Sequence, residues 1–302
     1  KGHGLRLVPG DRDGIPGGTR RLTDHQGHVG RQVGRRALEL DQERLHRPIR
    51  PVGQGLGTHG HLTLIVREPG WNPRIHQARW EEHPTAHQQG VGATGQLGRL
   101  VVEALLDQDV PAGRIVAAGR DLAKVADLAE RGVQVRKVDY SDPESLRQAF
   151  SGAEKVLLIS GSQVGERLEQ HRNAIMAAKD AGVRLIAYTS IANAGSTGMQ
   201  LAAEHEATEA ALKESGLPFT LLRNGWYLEN YTDQLGSYLQ HGAVLGSAGE
   251  GRVSAASRAD YAHAAASVLL LEGQAGRVYE LGGDEPFTLS ELAAEVSSAA
   301  GQ

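Results

Sequence analysis

Residues 90–302 of this 302-residue chain are predicted to form an α/β fold, a doubly wound parallel sheet with helices on both faces. Three observations carry that expectation. Short apolar runs alternate with amphipathic helical stretches from Gly92 to Arg223, Gly92, Gly95 and Gly98 make a glycine-spaced turn that leads into the first helix, and the composition changes sharply near residue 90.

The elements follow in order. Leu97, Leu100, Val101 and Leu105 recur at helical spacing behind the glycine turn. Arg114 to Ala118 reads as a buried parallel strand, and Asp121 caps a helix through Leu128 that stops at Gly132. Val133 to Val138 is the next strand, and Ser141-Asp142-Pro143-Glu144 reads as a capping box that starts a helix to Phe150. Lys155 to Ser160 is a central strand, followed by a helix from Gln163 or Val164 to Ala181. Val183 to Ser190, a helix over Ala202 to Ser215, and a strand over Phe219 to Arg223 complete the alternation. Such a sheet binds ligands beyond the carboxyl ends of its strands.

The first ninety residues have a different composition. They hold 9 of the 13 histidines, 7 of the 11 prolines, and 13 arginines with one lysine against nine acids, a formal +5 in a chain of net -4. Little sustained periodicity appears before Gly60, apart from a short charged helix over Arg36–Leu45 and one strand over His61–Val66. Residues 1–89 are therefore expected to be a low-order segment, disordered or non-native. Arg, Gly, His and Pro without Lys is what GC-rich DNA yields when read in a wrong frame. The opening on Lys1 fits a fragment or a trimmed chain.

Several classes fall away. With no cysteine, disulfides and thiolate sites are excluded, which suits a reducing compartment and a cytoplasmic location. No apolar run reaches membrane-spanning length, so no membrane insertion is expected. Nucleic acid is not an expected partner either, because the arginines lack interleaved aromatics and net charge is negative. His25/His28, His59/His61 and His83/His87 have metal-compatible spacings but no acidic second shell, so no metal is expected.

The candidate site lies at strand ends. Gly92, Ala93, Thr94, Gly95, Gln96 and Leu97 would cradle a pyrophosphate at a helix start, where unpaired N–H groups and the positive dipole end point outward. Arg120, about twenty residues on, suits the 2′-phosphate of NADP(H), whereas NAD(H) calls for an acid there and is less favoured. Lys124 adds charge, and Asp139 and Tyr140 could line the adenine. Gly161, in a stretch of small residues, suits backbone lying against the nicotinamide ribose. Ser190 ends the strand where short-chain dehydrogenases place a hydroxyl near the hydride. Those enzymes follow it with Tyr-x-x-x-Lys, and here the corresponding helix reads His205-Glu-Ala-Thr-Glu209. His205 could donate a proton; a solvated helix face is the competing reading. Asn224, Gly225, Trp226, Tyr227, Leu228 and Glu229 form the densest polar–aromatic cluster and could floor a flat pocket, or simply pin a loop. The catalytic group is not assigned by these residues; Asn224, Tyr227 and His205 are the candidates.

At these motifs the chain resembles the NAD(P)H:quinone oxidoreductase (type 2) branch of the NmrA-like atypical short-chain dehydrogenases. The resemblance spans residues 92–300 and rests on Gly-Ala-Thr-Gly-Gln-Leu-Gly (92–98), Gln-His-Arg-Asn (170–173), Ala-Tyr-Thr-Ser (187–190), Leu-Leu-Arg-Asn-Gly-Trp-Tyr (221–227) and Arg-Ala-Asp-Tyr-Ala (258–262). It implies a Rossmann domain over 90–302, an NADPH-dependent reductase of small-molecule quinones, and cofactor contacts along 92–97, at Arg120, near Gly161 and along 224–229. Quinone reduction agrees with the missing tyrosine, since a hydroquinone anion is a far weaker base than an alkoxide. A non-catalytic NADP(H)-sensing regulator of the NmrA-like type is the competing function, and a homodimer is a compatible assembly.

The chain departs from that family at both ends. Thr85-Ala-His-Gln-Gln-Gly-Val91 occupies the place of an apolar first strand, and the family continues beyond Gln302, so the C-terminal substrate part, about 225–302, is expected to be small and truncated. Residues 86–91 are expected to take an extended, partly strand-like path.

Overall fold

The computed structural model describes residues 5–9, 63–64, 90–91, 95–161, 163, 165–196 and 199–301. The chain divides into two compact units. The larger holds His59–Gly225 and Ser257–Leu281, and the smaller holds Lys1–Thr58, Trp226–Ala256 and Gly282–Gln302.

The described strands are β1 Leu5–Pro9, β2 Thr63–Leu64, β3 Gly90–Val91, β4 Val116–Gly119, β5 Gln134–Lys137, β6 Lys155–Ile159, β7 Leu185–Ile191, β8 Phe219–Asn224 and β9 Arg277–Gly283. The helices are α1 Gln96–Leu106, α2 Ala126–Glu130, α3 Pro143–Phe150, α4 Arg167–Asp180, α5 Gln200–Ser215, α6 Glu229–Thr232, α7 Leu235–His241, α8 Arg258–Leu270 and α9 Leu289–Ala300.

In the larger unit the strands form two parallel runs. One is β3-β4-β5, and the other is β6-β7-β8 continued by β9 through Leu281. Short connections through helices force this parallel arrangement. Val156, Leu158, Ile186, Tyr188 and Leu221 share a face with buried residues of α3, α4 and α5 in the main core. Leu157, Ala187 and Leu222, also buried, alternate to the other face. Helices α1 and α8 pack side by side.

Between the two parallel runs lies the place of the strand expected before the glycine turn, and two short pieces share it. Gly90–Val91 pairs in parallel with Ala117–Ala118 of β4. Thr63 and Leu64 pair antiparallel with Leu158 and Leu157 of β6. The two pieces lie close to one another, with β3 also close to β6 and β2 close to β4. The extended path expected for 86–91 is therefore described at its last two residues, and the strand expected over His61–Val66 is described at Thr63–Leu64. Residues 86–89, the Arg36–Leu45 helix and the histidine pairs lie outside the described residues. Leu5–Pro9 is a strand that periodicity did not reveal.

Local chemistry explains most boundaries. Asp121 accepts from the Ala123 N–H, but the first turn behind it, Leu122–Val125, is 3-10, and α2 follows it. Asp142 rather than Ser141 caps α3, accepting from the Glu144 N–H, with Pro143 in the first turn. Helix α4 starts at Arg167, later than expected, because Gly165 adopts φ 90° just before it. Gly216 (φ 76°) ends α5 in the left-handed conformation.

In the smaller unit, Trp226 and Leu228 pair with Ala256 through backbone hydrogen bonds (3.1 and 2.9 Å), and Val253 bridges Phe287. Thr288 and Glu291 cap α9 reciprocally, and Arg252 pairs with Glu291 at 3.0 Å.

Candidate functional site

Of the expected site residues in the larger unit, Arg120, Asp139, Tyr140, Gly161, Ser190 and Asn224 sit at or just past the carboxyl ends of parallel strands. Ile159 pairs with Thr189 and Thr189 with Leu222; Ser190 pairs with Arg223, and Ile191 with Asn224. Ser160–Gly161, Ser190 and Asn224 are thereby brought to one edge of the sheet. Arg120 follows the end of β4 and is half-buried, and Asp139 lies two residues beyond β5. Gly92, Ala93 and Thr94 lie outside the described residues, and Trp226, Tyr227, Leu228 and Glu229 belong to the smaller unit.

Gly95 is the N-cap of α1 in an extended conformation, with no side-chain cap and no acid in the first turn. That helix start carries a partial positive charge toward an anion. Gln96 is exposed, while Leu97 is buried. Arg99 ties the same helix to the segment after β4 by donating to Asp127 and to the Lys124 carbonyl (3.3 Å). Lys124 is exposed and stands 3.9 Å from Asp121. Asp139 is exposed and accepts from the Ser141 N–H at 2.9 Å. Tyr140 differs from its neighbour: its ring is buried in the main core, edge-on to His171. A side chain held there packs the sheet, and the Tyr140 carbonyl accepts from Asn173 Nδ2 at 3.0 Å.

His205 and Glu209 of α5, the residues read above against the Tyr-x-x-x-Lys of short-chain dehydrogenases, are both hydrogen-bonded internally. His205 is 5% exposed, so the solvated-face reading does not hold. Its Nδ1 lies 2.8 Å from the Tyr188 hydroxyl. Burial, then the nearby Arg167 guanidinium, pulls its pKa down to about 4. At neutral pH it is an uncharged imidazole with no imidazolium proton to give. Burial also raises the Tyr188 phenol above its ordinary range.

One turn on, buried Glu209 accepts from the Ser190 hydroxyl at 2.6 Å and from Arg223 through Nε (2.9 Å) and a terminal nitrogen (2.7 Å). Arg223 also donates to Glu280 at 2.9 Å, and Glu280 accepts the Asn193 N–H at 3.0 Å. The Glu209 hydrogen bond, despite burial, raises the Arg223 pKa further. Ser190, its one proton directed at Glu209, can only accept from a ligand.

Asn224 is buried at the end of β8, and its carbonyl accepts the Ala192 N–H at 2.9 Å. The Gly225 N–H donates to Leu281 at 2.8 Å. Trp226 is 45% exposed, Tyr227 bridges Ala256, and Glu229 begins α6.

Composition and spacing did not single out Arg167, Glu204 and Thr208; Thr189 was read together with Ser190 as a hydroxyl pair at a strand end, and His171 entered only as part of a motif. Thr189 accepts the Ser160 N–H at 2.9 Å, and Arg167 and His171 both bond Gly161. The signal available was the i, i+4 spacing of Arg167 and His171 on one helix face. Among the described residues, no group of three or more His, Asp or Glu could hold a metal, and no helix is long and apolar enough to cross a membrane.

Residues 92–271 match the family model described as NAD(P)H-binding. Quinone oxidoreductase 2 of Escherichia coli (strain K12) is 52% identical over 211 residues, covering 70% of this chain and 73% of that protein. The solved structure of the NADPH-dependent quinone oxidoreductase of Escherichia coli complexed with NADPH has a TM-score of 0.68 at 51% identity, over 70% of this chain and 75% of the other. Citrobacter sp. triphenylmethane reductase complexed with NADP(H) gives a TM-score of 0.67 at 42% identity, over the same shares. This chain belongs to the NAD(P)H-binding family, in its NmrA-like branch of Rossmann-fold proteins.

Proposed function

We propose that the chain is an NADPH-dependent reductase of quinones in which no protein side chain serves as the acid. The observation that carries the second half is the commitment of His205 to Tyr188 and of Glu209 to Ser190 and Arg223. The first half draws on the similarity to a quinone oxidoreductase seen with NADPH.

The residues present fit that cofactor. The start of α1, uncapped by any side chain and free of acids, suits the pyrophosphate. Arg120 and Lys124 suit the 2′-phosphate, and the small Ser160–Gly161 segment admits the nicotinamide end. Asn224, at the end of β8, completes the proposed contacts within the larger unit. When bound, the nicotinamide supplies a hydride. The chain orients it: Ser190 offers lone pairs but no proton, and Thr189 fixes the Ser160 backbone. The hydroquinone anion then takes its proton from water, because it is a weak enough base not to need a tuned acid.

Adding a benzoquinone to the protein with NADPH tests the reading. Loss of NADPH absorbance that depends on both protein and quinone is expected. Tight NADPH binding with no quinone-dependent oxidation would instead make the chain an NADP(H)-sensing regulator.

A further inference from the structure

The Gly161 backbone, just past the end of β6, is held on both sides of its Cα by buried polar side chains of α4. Its N–H donates to His171 Nε2 at 3.1 Å, and its carbonyl accepts from Arg167 Nε at 2.5 Å. The residue before it is held as well, by Thr189. Because Nε2 accepts, the imidazole carries its proton on Nδ1, which donates to Thr208 Oγ1 at 3.0 Å. Thr208 passes its own proton to the Glu204 carbonyl at 2.9 Å, while the Glu204 carboxylate takes Arg167 at 2.8 Å and the Gly165 N–H at 2.6 Å. The grip is therefore braced from α5, and His171 is further wedged edge-on between Tyr140 and Tyr188.

His171 and Thr208 are 0% exposed and Arg167 is 3% exposed. Burying a guanidinium and an imidazole is costly, and packing alone would be served by apolar side chains. What this arrangement supplies that apolar packing does not is a fixed orientation for the Gly161 N–H and C=O, and so for the two successive peptide planes that meet at Gly161, at the ligand edge of the sheet. We propose that His171 and Arg167 are positioning residues that preorganise the Gly161 backbone for NADPH, a reading that rests on the cofactor proposed above. With its N–H given to His171, Gly161 meets the cofactor through shape rather than through its amide, and the ordering cost is met before the ligand arrives.

The test titrates NADPH into the full chain by tryptophan fluorescence, with circular dichroism confirming folding. His171→Phe keeps a ring but has no acceptor for the Gly161 N–H, and it should raise the NADPH Kd by about tenfold, the scale of a buried donor left unsatisfied. His171→Gln, whose amide oxygen can accept the same N–H, should return to within about threefold of the parent. In turnover, His171→Phe should raise the NADPH KM while the quinone KM stays unchanged. A folded His171→Phe that binds NADPH as tightly as the parent, or a His171→Gln as weak as His171→Phe, would overturn the proposal. If His171→Phe does not fold, Arg167→Lys decides: weaker NADPH binding supports the grip, and parental binding overturns it. A parent chain that binds no NADPH would instead overturn the cofactor reading.

Discussion

Arg120 carries the choice of cofactor at the scale of a single residue. Arg120→Ala should weaken NADPH by about tenfold and leave NADH nearly unchanged, read by paired titrations. Equal losses for both cofactors would remove the 2′-phosphate role. His205 makes a separate prediction through pH. Its folded pKa, about 4, lies below the unfolded value of 6.5, so the unfolded chain takes up the proton first. The stability tied to neutral His205 is therefore fully present above the unfolded pKa and is lost as pH falls toward the folded one, about 3 kcal/mol in all. Urea midpoints between neutral and mildly acidic pH should show that loss, and His205→Gln should flatten it. Glu209→Gln should cost about 3 kcal/mol of stability, because it strips Arg223 of a buried partner and leaves Glu280 as its remaining carboxylate among the ion pairs described.

The capping residues and strand pairings act at the scale of an element. Ser257 and Asp260 cap α8 reciprocally, so Ser257→Ala should lower stability by about 1 kcal/mol in chemical denaturation. From β4 onward the elements were legible because strand runs are continuously apolar and the helices open and close on Asp, Pro and Gly. The boundaries slipped where backbone rather than side-chain pattern decided them, as at Gly165 before α4. The strand-end residues Arg120, Ser190 and Asn224 were legible from the alternation alone. The grip on Gly161 was not, because it joins α4, α5 and the end of β6 through hydrogen bonds between residues up to 37 positions apart. The burial of His205 was missed because Glu-rich α5 reads as a solvated helix, although its β7 side meets Tyr188 and Ser190. An extended path was expected for residues 86–91 alone; that Thr63–Leu64 shares the strand place was not foreseen. What decides it is that Gly90–Val91 reaches β4 while Thr63–Leu64 reaches β6. Replacing residues 86–89 with apolar β-branched residues should lengthen the pairing with β4, raising Tm by several degrees and tightening NADPH. An unchanged Tm would mean that the two short pieces already satisfy this place.

In the whole molecule, Gly95, Arg120, Gly161, Ser190 and Asn224 all belong to the larger unit, while Trp226 to Glu229 fall in the smaller one. We propose that residues 1–89, with their arginine-rich, lysine-poor composition, come from DNA read in a wrong frame or on the wrong strand rather than from the native protein. Peptide mapping of the natively expressed protein should then recover no peptides from residues 20–80, and recovering them would refute that origin. In the mechanism proposed here hydride is transferred by orientation, with water completing the reduction. The pH profile of kcat for NADPH with a benzoquinone tests it most directly. A flat kcat from about pH 6 to 9 is the predicted result, since no essential side-chain acid titrates in that range. A kcat that falls with rising pH along a single titration, and loses that titration in Tyr227→Phe or His205→Gln, would contradict it.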